Sequence, residues 1–181
     1  MLCKYLTPFL ALFLFTPLFA QKVQPTYKQV SYGSHKDMVL NFWKIDSKKP
    51  TPLLVHIHGG GWLGGKKNET TSPSQLNQGY SYASIDYRLA GVELLPAAVH
   101  DAARAIQFLR TKAKEWNFDP KRIAVTGGSA GAASSMWLAY HDDMADPKSK
   151  DPVLRQSSRV CGAVAMGGQT TLDPFLLEKK I

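Results

Sequence analysis

Three observations on the sequence predict an α/β fold with a mostly parallel sheet. Apolar runs of strand length alternate with longer segments of helical periodicity, which is the order typical of repeated βαβ units. The run 53–57 is almost continuously apolar, as in a strand that is covered on both faces. A later apolar run, 123–125, leads into a glycine-flanked serine and then directly into helix-forming residues. We therefore expect a single α/β domain with helices on both faces of the sheet.

The sheet is expected to begin with an antiparallel hairpin. Two runs of β-type residues, 27–32 and 38–43, are separated by the turn residues 33–37. The remaining elements follow in order: strands over 53–57 and 82–87, a helix over 97–114 that Pro96 opens, a strand over 123–125, a helix to about Tyr140, a charged loop over 142–158, and a strand over 160–166.

Composition limits the classes of protein to consider. The chain has 181 residues, of which 44% are hydrophobic and 20% charged, and this suits one globular domain. The formal net charge is +8, but the basic residues are scattered along the chain without interleaved aromatic residues. We therefore expect a lysine-rich surface and no nucleic-acid partner.

The N-terminal residues 1–20 have the pattern of an export signal. Lys4 supplies the positive charge, 9–15 form a short apolar stretch, and 18–20 end on a small residue suited to cleavage. The stretch is short, and Pro8 and Pro17 lie on either side of it. We therefore expect cleavage and no stable membrane span, with an uncleaved anchor as the alternative. The domain would then be periplasmic or extracellular. Cys161 would be the one cysteine retained, and its apolar surroundings predict a buried thiol.

Two short motifs carry the chemistry. Residues 127–131, GGSAG, fit the G-x-S-x-G pattern between a strand and a helix, where small neighbours let the Ser129 hydroxyl project into a site. Alone, this motif is also compatible with a tight turn and an incidental serine. Residues 58–62, HGGGW, follow the strand over 53–57, and we call them the glycine loop. Consecutive glycines leave backbone N–H groups accessible to a developing oxyanion.

Together with DYRL at 86–89 and DPKRIAV at 119–125, these motifs resemble the α/β-hydrolase fold. Within that fold, the set is similar to the hormone-sensitive-lipase-like and bacterial feruloyl/acetyl esterase group. The resemblance covers roughly residues 27–172. It implies a carboxylic ester hydrolase that acts on short acyl esters, including those of polysaccharides. The histidines show no metal-ligand spacing, so we expect neither metal nor cofactor.

The resemblance also implies roles for individual residues. Ser129 would be the nucleophile that forms an acyl-enzyme. The backbone N–H groups of Gly60, Gly61 and Ala130 would form the oxyanion hole.

The other residues of the glycine loop would shape the site. His58 and Gly59 would set the course of the loop, and Trp62 would pack at the mouth of the acyl site. Asp86 and Arg88 are expected to form a structural pair that braces the loop.

The pattern departs from the fold in its last part, where an acid and a histidine normally follow the serine. His141 is the one histidine after Ser129 and would lie about 18 Å away along the helix, too far for proton transfer. We therefore expect residues 21–181 to be the N-terminal two-thirds of one hydrolase domain, without the triad Asp and His. Two alternatives stay open: a binding module without turnover, and a non-functional gene fragment.

Overall fold

The computed structural model describes residues 22–169, so the predicted export signal lies outside the described part. Six strands and three helices occur there: β1 (Tyr27–Ser31), β2 (Val39–Trp43), β3 (Thr51–Ile57), α1 (Pro73–Leu76), β4 (Ser81–Ile85), α2 (Ala97–Trp116), β5 (Phe118–Gly128), α3 (Ala130–Tyr140) and β6 (Gly162–Met166). Each predicted strand and long helix is confirmed within a few residues of its expected bounds. No helix within 22–169 has both the length and the apolar character needed to span a membrane.

The strands form one sheet in the order β1-β2-β4-β3-β5-β6. β1 pairs antiparallel with β2, and β2 with β4. The pairs β3–β4, β3–β5 and β5–β6 are parallel. This topology confirms the prediction of a mostly parallel sheet with an N-terminal antiparallel hairpin. Because parallel strands end at the same edge of a sheet, the segments that follow β3 and β5 come together there.

One face of the sheet carries the core. In β3, Leu53, Val55 and Ile57 are buried, whereas Leu54 and His56 on the other face are half-buried. Helices α2 and α3 contact each other and both pack against β5, so they lie on the same face. We expected helices on both faces of the sheet. In the described part of the chain, the two long helices cover one face.

β3 and β5 are out of register at their N-terminal ends. Thr51 pairs with Phe118, but Leu53 pairs with Ile123, so residues 119–122 have no counterparts on β3. We call these four residues the β5 bulge. Beyond it, the pairing continues without interruption to the end of β3, and the carboxyl ends of the two strands stay aligned.

β6 lies at the edge of the sheet, and its residues are exposed. Cys161, just before it, is exposed as well, so the prediction of a buried thiol is wrong. Among residues 22–169, β6 pairs with β5 alone; Val160 packs partly against the core, whereas residues 161–166 are exposed.

Candidate active site

A strained turn at Ser129 joins β5 to α3. Ser129 has φ 53° and ψ −121°, a conformation that a residue with a Cβ adopts only when its surroundings impose it. Its N–H donates to the Met166 carbonyl at 3.0 Å, and its carbonyl accepts from the Ala133 N–H at 3.0 Å. The Ser129 side chain itself is exposed. The turn thus holds an exposed serine between strand and helix.

Glycines next to Ser129 bring this turn against the end of β3. A Cβ on Gly131 would overlap the Ile57 carbonyl oxygen and lie 2.8 Å from the His58 carbonyl oxygen. A Cβ on Gly127 would lie 2.5 Å from the Ile57 oxygen. Only glycine permits this approach, and the glycine loop consequently begins beside the serine.

The glycine loop is a tight turn whose backbone remains accessible. Gly60 has φ 110° and Gly61 has φ 62°, both in the region that glycine adopts without strain. The Gly60 carbonyl accepts from Leu63 N–H at 3.0 Å and Gly64 N–H at 3.1 Å, which closes the turn. Within residues 22–169, the N–H groups of Gly60 and Gly61 donate to no backbone carbonyl, and a Cβ on Gly61 would meet no atom within 4 Å.

The third expected donor is at the start of α3. Ala130 is the first residue of the helix, where the N–H has no partner inside the helix. A Cβ on Gly59 would lie 3.5 Å from the Ser129 Cβ, so the glycine loop and the helix start are adjacent. The structure brings the predicted nucleophile and the predicted donors together. Their catalytic roles remain predictions.

His58 is fixed by the loop that it precedes. Its Nδ1 is 2.8 Å from the Gly59 carbonyl oxygen, and its Nε2 is 3.6 Å from Asp86 Oδ1. The ring stacks on Tyr87 with 4.2 Å between centroids, and the Tyr87 hydroxyl donates to the His58 carbonyl at 2.9 Å. Burial lowers the pKa of His58, although the Gly59 carbonyl and Asp86 oppose this shift. These contacts fit the predicted loop-shaping role.

The predicted Asp86–Arg88 pair is wrong. Arg88 instead makes a bidentate interaction with Asp101, with Nε and Nη2 at 2.9 and 2.7 Å from the two carboxylate oxygens. Asp86 accepts from the Lys67 backbone N–H and lies 3.4 Å from Lys67 Nζ. Asp101 and Lys67 are both buried, and a buried charge is stable only with an opposite partner. Nothing in the sequence distinguishes Lys67 from a surface lysine.

Trp62 closes an apolar cavity beside α3. It is buried, and the cavity of about 630 Å³ is lined also by Val99, Ala133, Met136 and Trp137. Ala133 is one helical turn from Ser129, so the cavity begins close to the serine. The predicted position of Trp62 at the mouth of an acyl site is consistent with this arrangement.

The described structure pairs no histidine ring with the Ser129 hydroxyl. The chain has five histidines, and among residues 22–169 none is hydrogen-bonded to Ser129. His141 follows the last turn of α3 and stacks on Trp137 with 4.0 Å between centroids. No group of three or more His, Cys, Asp or Glu side chains in the described residues has an arrangement that could hold a metal ion.

A strand–serine–helix turn beside a glycine loop, on a mostly parallel sheet, defines the α/β-hydrolase class. Comparison with known proteins makes the assignment finer: the BD-FAE family model matches residues 42–175, and the chain belongs to this family.

Named relatives and solved structures agree with the family. The probable carboxylic ester hydrolase LipM of Mycobacterium tuberculosis is 31% identical over 162 residues, covering 82% of this chain and 37% of LipM. Carboxylesterase NlhH of the same organism is 33% identical, covering 62% and 36%. The crystal structure of the acetyl ester-xyloside bifunctional hydrolase from Caldicellulosiruptor lactoaceticus is 35% identical with a TM-score of 0.63, covering 70% of this chain and 47% of that one. The chain therefore spans less than half the length of these relatives.

Proposed function

We propose that this protein is a serine-type carboxylic ester hydrolase in which Ser129 forms the acyl-enzyme. The observation that carries the proposal is the strained, exposed Ser129 beside a glycine loop with accessible N–H groups. Ser129 Oγ would attack the ester carbonyl carbon, the ester C–O bond would break, and the leaving oxygen would depart as the alcohol with the proton that Ser129 gives up. Water would then hydrolyse the acyl-enzyme.

The N–H groups of Gly60, Gly61 and Ala130 are proposed to stabilise the tetrahedral oxyanion. They belong to two different segments that meet at Ser129, so the hole is assembled by folding. Preorganised donors of this kind account for factors of about 10²–10³ each in related hydrolytic reactions.

Acyl esters on a polysaccharide are the proposed substrates. Support comes from the solved structure at 35% identity, which is that of an acetyl ester-xyloside bifunctional hydrolase. The export signal expected over 1–20 supports the same conclusion, because such polymers lie outside the cell. We accordingly propose a periplasmic or extracellular location.

No residue of this chain is assigned as the general base, because none of its histidines is hydrogen-bonded to Ser129 in the described structure. A serine without a base is a weak nucleophile, but an oxyanion hole alone still gives some acceleration over water. Added imidazole can act as a general base from solution. We therefore expect acylation of Ser129 to be slow and to be accelerated by imidazole.

The test is acylation of the 181-residue chain by p-nitrophenyl acetate, followed by intact mass and peptide mapping, with and without imidazole. An acetyl adduct at Ser129 that imidazole accelerates supports the proposal. Ser129→Ala supplies the background for direct reaction with imidazole, and Ser74→Ala, at an exposed serine outside the site, is the matched control. An adduct that persists in Ser129→Ala refutes the assigned nucleophile.

A second candidate function is a binding module of the same fold without turnover. The observation that favours it is the absence of a histidine hydrogen-bonded to Ser129 among the described residues. A folded chain that binds an ester-bearing oligosaccharide but gains no adduct, even with imidazole, would support this candidate over the enzyme.

A further inference from the structure

A basic groove lies at the end of the sheet opposite the Ser129 turn. Its volume is about 760 Å³, and its basic lining residues are Lys49, Arg110, Lys114 and Arg122. They come from the segment before β3, from the C-terminal half of α2 and from the β5 bulge. Scattered in the sequence, they are brought together by the fold.

The groove is distinct from the candidate active site. β3 and β5 are parallel, and the groove is at their N-terminal ends while the glycine loop and Ser129 follow their carboxyl ends. Ser129 comes seven positions after Arg122, which corresponds to about 23 Å at roughly 3.3 Å per strand residue. A ligand in the groove would therefore leave the serine accessible.

Hydrogen bonds hold the wall of the groove in place. Arg122 donates from Nε to Asp119 Oδ2 at 2.8 Å and from Nη2 to the Pro50 carbonyl at 2.7 Å. The Lys121 N–H donates to Asp119 Oδ1 at 2.9 Å. These contacts tie the β5 bulge to the segment before β3, so the groove is a built feature and not a gap between loose loops.

The charge of the groove is unbalanced. Asp119 is the one acidic residue in its lining, and it is paired with Arg122. Lys49 and Lys114 are exposed, and within residues 22–169 neither ammonium group has a carboxylate within 4.0 Å. Arg110 is fixed by donating to the Ser157 carbonyl at 3.1 Å. The groove therefore presents unpaired positive charge to solvent.

We propose that this groove binds a carboxylated polysaccharide and holds the protein on the polymer while Ser129 stays free. The choice of a polysaccharide rests on the proposed function, whereas the positive charge of the groove is independent of it. Phe118 is the one aromatic residue of the lining and is buried, so stacking of nucleotide bases is not supported. Anchoring at a second site raises the effective concentration of the polymer at the serine without any new contact there.

The test measures binding of fluorescently labelled oligogalacturonate, a polymer without esters, to the full chain by anisotropy at several salt concentrations. We expect the double variant Lys49→Gln/Lys114→Gln to bind about tenfold more weakly, with a shallower dependence on salt. The matched control, Lys36→Gln/Lys148→Gln, removes the same charge from exposed lysines outside the groove and should bind like wild type. Thermal unfolding of both variants confirms that they fold.

Three results would overturn the proposal: no binding by wild type at low salt, an equal loss in the control variant, or tighter binding to an oligonucleotide or to anionic vesicles than to oligogalacturonate. Because the oligogalacturonate carries no ester, the assay is independent of Ser129. A failed esterase assay together with groove-dependent binding would refute the proposed function and leave the groove proposal standing.

Discussion

The Trp62 indole Nε1 donates to the Ser134 Oγ at 3.1 Å. The same hydroxyl donates to the Ala130 carbonyl at 2.9 Å. Trp62 ends the glycine loop, and Ala130 begins α3, so one serine connects the two segments that supply the proposed oxyanion donors. Sequence reasoning missed Ser134, because a serine inside a helix carries no signal for such a contact.

Replacing Ser134 with Ala is expected to lower the free energy of unfolding by about 1–3 kcal/mol, because it leaves the Trp62 N–H buried without an acceptor. Urea denaturation measures the change, and hydrogen exchange of the indole N–H should accelerate. In a double-mutant cycle with Trp62→Phe, the two effects should not add. Full additivity would show that the hydrogen bond has no energetic role.

Gly131→Ala is expected to be destabilising even though Gly131 lies in a helix, where alanine is normally favoured by about 1 kcal/mol. The added Cβ would overlap the Ile57 carbonyl oxygen, and the turn at Ser129 would have to move. Gly91→Ala is the control, since a Cβ there meets no atom within 4 Å. Chemical denaturation measures the free energy of unfolding of both variants, and a heteronuclear NMR spectrum shows whether each one folds. Equal stability of the two variants would contradict the close approach of Gly131 to the Ile57 carbonyl oxygen.

Stability should fall as the pH drops below about 6.5, the ordinary pKa of histidine. Burial lowers the pKa of His58, so between its folded value and 6.5 the unfolded chain binds more protons. The stabilisation is thus complete above 6.5 and decreases at lower pH, by at most about 1.4 kcal/mol per pH unit for one histidine. His56, whose pKa burial also lowers, adds to the slope.

His58→Gln should flatten this pH dependence in urea titrations between pH 7.5 and 5. An unaltered slope in His58→Gln would mean that His58 is not the responsible group.

Arg88→Gln is expected to cost about 3 kcal/mol of unfolding free energy, because it leaves the buried Asp101 carboxylate without its partner. Lys112→Gln breaks the solvent-exposed contact with Glu115 and should have little effect. Equal midpoints of thermal unfolding for the two variants would show that the Arg88–Asp101 interaction is not important for stability.

Local pattern was sufficient to predict the strand order along the chain, the hairpin, and the turn at Ser129. The strands and the hairpin follow from the periodicity of apolar residues. The turn follows from the glycines on both sides of Ser129, which allow a close approach of the backbone. The partners of Asp86 and Arg88 were not predictable in this way. Asp86 pairs with the buried Lys67, and Arg88 pairs with the buried Asp101. Both partners lie on other segments, and the sequence alone does not indicate which charged side chains become buried.

The exposure of Cys161 has a similar origin. An apolar run predicts burial on the assumption that other elements cover it. Among residues 22–169, the edge position of β6 leaves that assumption unfulfilled. The basic groove shows the converse, since charges that are scattered in the sequence come to line one groove only when α2 and the β5 bulge meet.

Because of the register shift between β3 and β5, a change in chain length at the N-terminal end of β5 need not move its carboxyl end. Because pairing is restored at Leu53 and Ile123, an insertion or deletion within the β5 bulge would be absorbed before it reached the aligned strand ends. Changes in the β5 bulge would therefore alter the proposed polymer groove, while the pairing of Ile57 with Gly127 beside Ser129 stays in place.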